Sequence, residues 1–593
     1  MLNSAGMDAQ FERSCCAISR GILTLTLTFA VCTAMAMTPG TYIGTADARG
    51  GMMTVEVTVT EDKIESIVVK EHADTIGICE PPIAMIPADI IAYQSLDVDT
   101  VAGATLTSYG VINAVTDALK QAGADIDALK AVEIVKPLPT AEDMQTQVVV
   151  AGGGMAGLVA AVTAADNGAD VILVEKMSFL GGNLLLAGGG LGTVGAETVP
   201  EDDSLERVMA YFKEVNSTSS RQPDYDFIEA ILPQTGIAID YLTNHFGLEH
   251  TSSDRGDYVR TNFGQGADLT ASLQRILEEQ NVTILYDTKA EHIVMEDGAA
   301  IGLVVSNAGG EFTITADKVI IATGGASHDR ERLLAANPEL AVTAIYEEAA
   351  VSSTGDGFAM LEEISAKMGP GPFIKSAYPD FSPAFRQTFR NNPSDGSKLV
   401  VDAEGKRFAN EAPYNQMYLT KNMLRHASPM YFTIYDEATA PEAFLAQMKE
   451  WAPSDNKNIV VHADTIEALA VKLDMDPATL KATYDAYQAA CQSGVDTEFG
   501  KTAAKLVAYT GEGGYYAARL FPASWGTIGG ALTDLQFHVL DANDVVIPNV
   551  FAVGECATSM LFGDYYFGGY SLGFYTAAGK IAAETAVAEI NAK

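Results

Sequence analysis

Cysteine is scarce in this chain of 593 residues: of six, Cys15, Cys16 and Cys32 fall in the first 32 positions, leaving Cys79, Cys491 and Cys556 for the body. Three scattered thiols give no disulfide framework, no CxxC pair for zinc or an iron–sulfur cluster, and no CxxCH for covalent haem. Redox chemistry here must come from an organic cofactor. Basic residues are also few, with 37 Lys and Arg against 77 Asp and Glu, a formal charge of −40. That balance removes the attraction on which polynucleotide binding depends and disfavours anionic lipid, so no nucleic-acid partner is expected. The histidines at 245, 250, 328 and 538 lack metal-ligand spacing, and no metal site is expected.

Charge is missing altogether between Arg20 and Asp47. Arg13 and Arg20, the apolar run Gly21 to Val31, and Ala34-Met35-Ala36 fit a secretory signal over residues 1–36. An uncleaved anchor and lipidation at Cys32 are the alternatives; each places the body outside the cytoplasmic membrane.

From Gly40 the chain is strand-rich. Thr54 to Val59 alternates with period two, Glu61-Asp62-Lys63 supplies a turn and Ile64 to Val69 resumes the pattern, which predicts a hairpin with one buried face. A helix is expected from Tyr109 to about Ala122, followed by a Pro-containing linker over 126–145.

A second unit opens with the β-branched run Val148-Val149-Val150-Ala151, suited to a strand buried on both faces. Gly152-Gly153-Gly154-Met155-Ala156-Gly157 follows, then an Ala-rich helix, a turn at Gly168 and a strand Val171 to Val174 ending in Glu175, 23 positions after Gly152. Gly152 allows the tight turn, Gly154 lets backbone N–H groups approach a pyrophosphate at the helix start, Gly157 lets helix and strand pack closely, and Glu175 accepts ribose hydroxyls. Strand, helix and acid together make this a dinucleotide fingerprint. A second glycine-rich loop holds Asn183, Leu184, Gly189 and Gly190, and glycine turns recur at 324–325, before and after Asp356, and at Gly554-Glu555. Such recurrence suits one extended cofactor touched from several strand ends.

The motifs GGGMAG at 152–157, GGN at 181–183, ADKVIIATGG at 316–325, GDG at 355–357, EGKRFANE at 404–411 and GE at 554–555 carry a resemblance to the flavoprotein subunits of fumarate reductases, urocanate reductases and 3-ketosteroid dehydrogenases. That resemblance implies non-covalent FAD, held by the residues above together with Ser571 and Leu572 at a helix start. The first unit resembles a small FMN-binding domain, with Asp99-Thr-Val-Ala102-Gly103-Ala104-Thr105 in place of its attachment motif. Thr105 is the implied site of covalent FMN, loaded by a flavin transferase. The expected fold is α/β, a Rossmann-like FAD-binding domain with an inserted α+β cap, preceded by a small α+β FMN-binding domain. The boundaries are 37–125 for FMN, 146–344 and 511–593 for FAD, and 345–510 for the cap.

Two arginines expected from fumarate-type enzymes are missing: Tyr414-Asn415 and Tyr565-Tyr566 stand in their places, and Ala377-Tyr378 and Ser524-Trp525 replace a histidine pair. A planar guanidinium fork has no substitute in a phenol, so a dicarboxylate is disfavoured. Resemblance to the ketosteroid enzymes gives Tyr566 the role of polarising a conjugated carbonyl and Tyr414 that of proton donor, with Tyr378 and Trp525 shaping the pocket. The expected activity is an exported ene-reductase for an aromatic or polycyclic enone, with electrons passing from a quinol-linked or soluble donor through FMN to FAD and, as hydride, to a small-molecule alkene. Two alternatives stand beside it: a urocanate- or fumarate-type enoate reductase using Arg386 or Arg390 as the anion clamp, and a flavin electron carrier without its own substrate. Gly569-Tyr-Ser571-Leu-Gly573 resembles a hydrolase elbow but lacks the apolar strand that would precede one.

Overall fold

The computed structural model describes residues 37–74, 77–200, 203–217, 219–254, 259–382, 395–412 and 417–592. The signal segment 1–36, Tyr414, Arg386 and Arg390 lie outside them. The chain divides into two compact units, residues 1–139 and 140–593.

In the first unit the expected hairpin is present as strands Gly51–Val59 and Ile64–Glu71, and Gly40–Ala48 adds a third strand antiparallel to the first of these. Val55, Val57 and Val59 point inward, as their alternation requires, and share a core with Val111, Val115 and Ala118 of helix Thr105–Gln121. That helix runs so close to the sheet that a Cβ at Gly44 would meet the Ala114 carbonyl oxygen at 2.0 Å. The linker expected at 126–145 is shorter than its boundaries. Ile126–Lys130 is a helix capped by the Asp125 side chain, with Leu129 buried in this core, and strand Met144–Ala151 already belongs to the second unit.

The second unit is built on an eight-stranded sheet. Parallel strands run in the order Thr283–Leu285, Val171–Val174, Met144–Ala151 and Gly310–Ile321. The 12-residue strand Gly310–Ile321 changes partner along its length: antiparallel to Ala299–Asn307 at first, then parallel to Val546–Ala552. Glycine turns therefore collect at the carboxyl ends of Met144–Ala151, Gly310–Ile321 and Val546–Ala552, where an open α/β sheet takes its ligand. Helices Met155–Asp166 and Tyr570–Asn591 cover one face, and Gly579 lets them touch, since a Cβ there would lie 2.3 Å from the Ala156 carbonyl.

The cap is a five-stranded sheet of Asp380–Phe381, Tyr515–Phe521, Tyr431–Tyr435, Val400–Asp402 and Val460–Ala463. Its expected limits, 345–510, are shifted at both ends. Helix Asp356–Glu363 packs Met360 and Leu361 into the core of the FAD-binding unit, and Tyr515–Phe521 completes the cap sheet by pairing with Tyr431–Tyr435. A separate three-stranded sheet is formed by Tyr346–Glu347, Ala523–Ile528 and Phe373–Ser376. Among the described residues no helix is long and apolar enough to cross a membrane.

Candidate active site

The fingerprint loop adopts the geometry its glycines require. Gly152 has φ +102°, and a Cβ at Gly157 would fall 1.9 Å from the Gly152 carbonyl oxygen. Gly154, which precedes helix Met155–Asp166, faces open space: the nearest atom to a Cβ there is the Gly181 carbonyl oxygen at 3.9 Å. Gly182 is as open, with Gly154 Cα at 4.0 Å. The two loops thus form a cradle that side chains would fill, and it lies at a helix start whose free N–H groups favour a pyrophosphate. Ala156 is buried in the first turn of that helix.

Glu175 closes the cradle. Its Oε2 accepts the Gly153 N–H at 2.8 Å and its Oε1 the Met177 N–H at 2.9 Å. Burial pushes this carboxyl above its usual range, partly offset by those two bonds. Asn183 accepts the Ala350 N–H at 2.6 Å, which ties the second glycine loop to the stretch before Asp356. Asp356 pairs with Lys176 at 2.5 Å. Ser571 Oγ is buried and makes no hydrogen bond among the described residues, while Leu572 is half-buried beside it. Cradle and orphaned hydroxyl fit an extended dinucleotide.

Gly189 and Gly190 have a different reason to be glycine. A Cβ would meet the Gly264 carbonyl oxygen at 2.3 Å in the first and Arg260 Nε at 1.9 Å in the second, so packing within the protein already demands them. Leu184 is likewise buried in the core.

Beyond the cradle, Glu555 and Lys375 form a buried ion pair between the turn Gly554–Cys556, which follows the last sheet strand, and Phe373–Ser376. Burial alone would lower the Lys375 pKa, but Glu555, Tyr575 and Tyr566 reverse this and hold the ammonium charged. Glu347 comes from the neighbouring strand. Its Oε1 accepts the Ala349 N–H at 2.9 Å, while Oε2 is buried without a hydrogen bond among the described residues. Burial pushes Glu347 up to about 8.

Three half-buried aromatic rings stand in a row beside this pair. Tyr378 meets Trp525 edge-on with ring centroids 5.3 Å apart, and Trp525 meets Tyr566 edge-on at 5.9 Å. Trp525 donates its indole N–H to Glu348 at 3.1 Å, and Lys375 Nζ lies 5.5 Å from the centre of the Tyr566 ring. The structure therefore brings together Tyr378 and Tyr566. Lys375 and Glu347 were invisible to sequence reasoning; a lone lysine in the apolar run Phe373 to Ala377 was the available signal for the first. Thr105 lies in the first unit, exposed at the start of helix Thr105–Gln121.

Residues 147–572 match the FAD binding domain family, and residues 49–120 match the FMN-binding domain family. The chain belongs to the FAD binding domain family and carries an N-terminal FMN-binding domain. It is a flavin-dependent oxidoreductase acting on CH–CH bonds, with sites for FAD and FMN. It is 27% identical to a urocanate reductase of Eggerthella lenta over 87% of each chain, and 26% identical to a probable fumarate reductase of Shewanella frigidimarina over 77% of each. Among solved structures, a 3-ketosteroid Δ1-dehydrogenase from Sterolibacterium denitrificans shares the fold with a TM-score of 0.63 at 20% identity, covering 75% of this chain and all of that one.

Proposed function

We propose that this flavoprotein reduces the C=C bond of an α,β-unsaturated carbonyl compound that carries an aromatic or polycyclic group. The observation that carries this reading is the aromatic row Tyr378–Trp525–Tyr566, set beside the buried Lys375–Glu555 pair at the carboxyl end of the FAD-binding sheet. The glycine cradle, Glu175 and Asp356 would hold FAD, which when bound and reduced would supply hydride to an activated alkene, and Thr105 would carry FMN as the entry point for electrons from a quinol-linked or soluble donor outside the cytoplasmic membrane. The residues do the rest. Tyr378 and Trp525 hold a flat group edge-on and keep water from it, and the Tyr566 hydroxyl donates to the carbonyl oxygen, where charge develops as the alkene accepts hydride. Tyr414 delivers the proton to the α-carbon. An electron carrier would have no use for such a row.

A carboxylate as the conjugated carbonyl is the second reading, favoured by the likeness to a urocanate reductase and a probable fumarate reductase. The test is anaerobic: the purified, flavin-loaded chain is reduced chemically and flavin reoxidation followed on adding fumarate, urocanate, cinnamate and a 3-oxo-4-ene steroid separately. Reoxidation by cinnamate or the steroid, with fumarate inert, is the expected result. Reoxidation by fumarate alone would overturn the aromatic reading, and no reoxidation by any of the four would overturn the alkene reading.

A further inference from the structure

The aromatic row leaves one group of charges unused. Arg221, Lys421 and Arg425 gather around Asp564, two residues before Tyr566. Asp564 Oδ2 is fully engaged, accepting the Ser220 N–H and hydroxyl at 2.7 Å each and Arg425 Nη2 at 2.8 Å. Arg425 also donates to the Tyr565 hydroxyl at 3.3 Å. Arg221 gives Nη2 to the Gly563 carbonyl oxygen, but its Nε lies 4.0 Å from Asp564 Oδ1, and Nε and Nη1 are buried without a hydrogen bond among the described residues. Lys421, on helix Met417–His426, is 9% exposed, and no hydrogen bond to its ammonium exists among the described residues. Three cations thus face one carboxylate, with Glu339 the more distant acid. Burial pulls both Arg221 and Lys421 below their ordinary values, the arginine to about 10. A buried guanidinium with donors left over, beside a buried ammonium, is costly unless a ligand completes the donors.

The cluster borders the site already described. The Arg221 guanidinium stacks on Phe373 at 3.9 Å, and Phe373 shares the strand Phe373–Ser376 with Lys375. Lys375 in turn lies over Tyr566.

We propose that Arg221 and Lys421 bind a single carboxylate of the substrate, so that the alkene held by the aromatic row is an arylalkenoate. This rests on the reading of that row as the alkene site. Arg221 offers the planar donor fork that the tyrosine positions lack, Lys421 adds a point charge, and Asp564 with Arg425 fixes the fork in place. One clamp suits a monocarboxylate.

Binding without turnover tests it. The oxidised, FAD-loaded full chain is titrated with 3-phenylpropanoate and with neutral 4-phenylbutan-2-one, followed by the change in flavin absorbance. The wild type is expected to bind the carboxylate at least ten-fold more tightly than the ketone. Arg221→Met and Lys421→Met are each expected to weaken the carboxylate at least ten-fold with ketone affinity unchanged, and Arg221→Lys to recover part of the loss, FAD content per chain serving as the control for folding. Unchanged carboxylate affinity in both Met variants, or an equal loss for the ketone, would overturn the clamp; the alkene reading would still stand if cinnamate reoxidises the reduced flavin. If no alkene reoxidises the flavin while 3-phenylpropanoate binding still falls in both variants, the clamp stands and the alkene reading fails.

Discussion

Glu347 is a largely buried acid whose Oε2 has no hydrogen bond, set near the carboxylate of Glu555 and the ammonium of Lys375. Burial is the dominant influence and Glu555 adds to it, so the pKa rises from 4.5 to about 8 and the folded protein holds a proton there at neutral pH. A folded-state pKa above the unfolded one means that the folded state binds more protons between those values. The stability this lends is complete below pH 4.5 and is lost as pH rises through about 8. Glu347→Gln is expected to flatten the decline in Tm across that window, read by thermal melts of the full chain at a series of pH values. Parallel wild-type and variant curves would contradict the assignment. Nothing in the sequence marked this residue, because its displacement comes from burial in the fold, with Glu555, more than 200 positions away, adding to it.

At the scale of elements, what was legible was local. The unit from Met144–Ala151 through Met155–Asp166 to Val171–Val174 forms as read because strand, turn, helix and acid each impose the same conformation on neighbouring residues. The hairpin is legible for the same reason. The cap limits were not, since Tyr515–Phe521 finds its partner about 80 residues earlier in Tyr431–Tyr435, a pairing no local pattern announces. Helix Thr105–Gln121 carries its own prediction. Ala104 provides no side-chain cap, so the first-turn N–H groups at the exposed Thr105 are free to meet a phosphate. Thr105→Val is expected to leave the fold of this unit intact but to lose covalent flavin, seen as the mass of one FMN missing from the intact chain and as loss of fluorescence in a denaturing gel. Covalent flavin retained in Thr105→Val would place the attachment elsewhere.

Across the whole molecule, the FAD-binding unit is recognisable from ordered glycine motifs spread between Gly152 and Glu555, while the chemistry is assembled from segments that the sequence keeps apart. Tyr378 and Tyr566 both meet Trp525, and the strand that carries Lys375 to Glu555 pairs with Ala523–Ile528. The central claim is that this assembly activates a conjugated carbonyl through Tyr566. Its most direct test is an anaerobic stopped-flow measurement in which the chemically reduced, flavin-loaded wild type and Tyr566→Phe are mixed with cinnamate and with 4-phenylbut-3-en-2-one. Loss of one donor aimed at developing charge is expected to slow flavin reoxidation by about 100-fold with little change in the half-saturating concentration. Equal rates in the two proteins would contradict the claim.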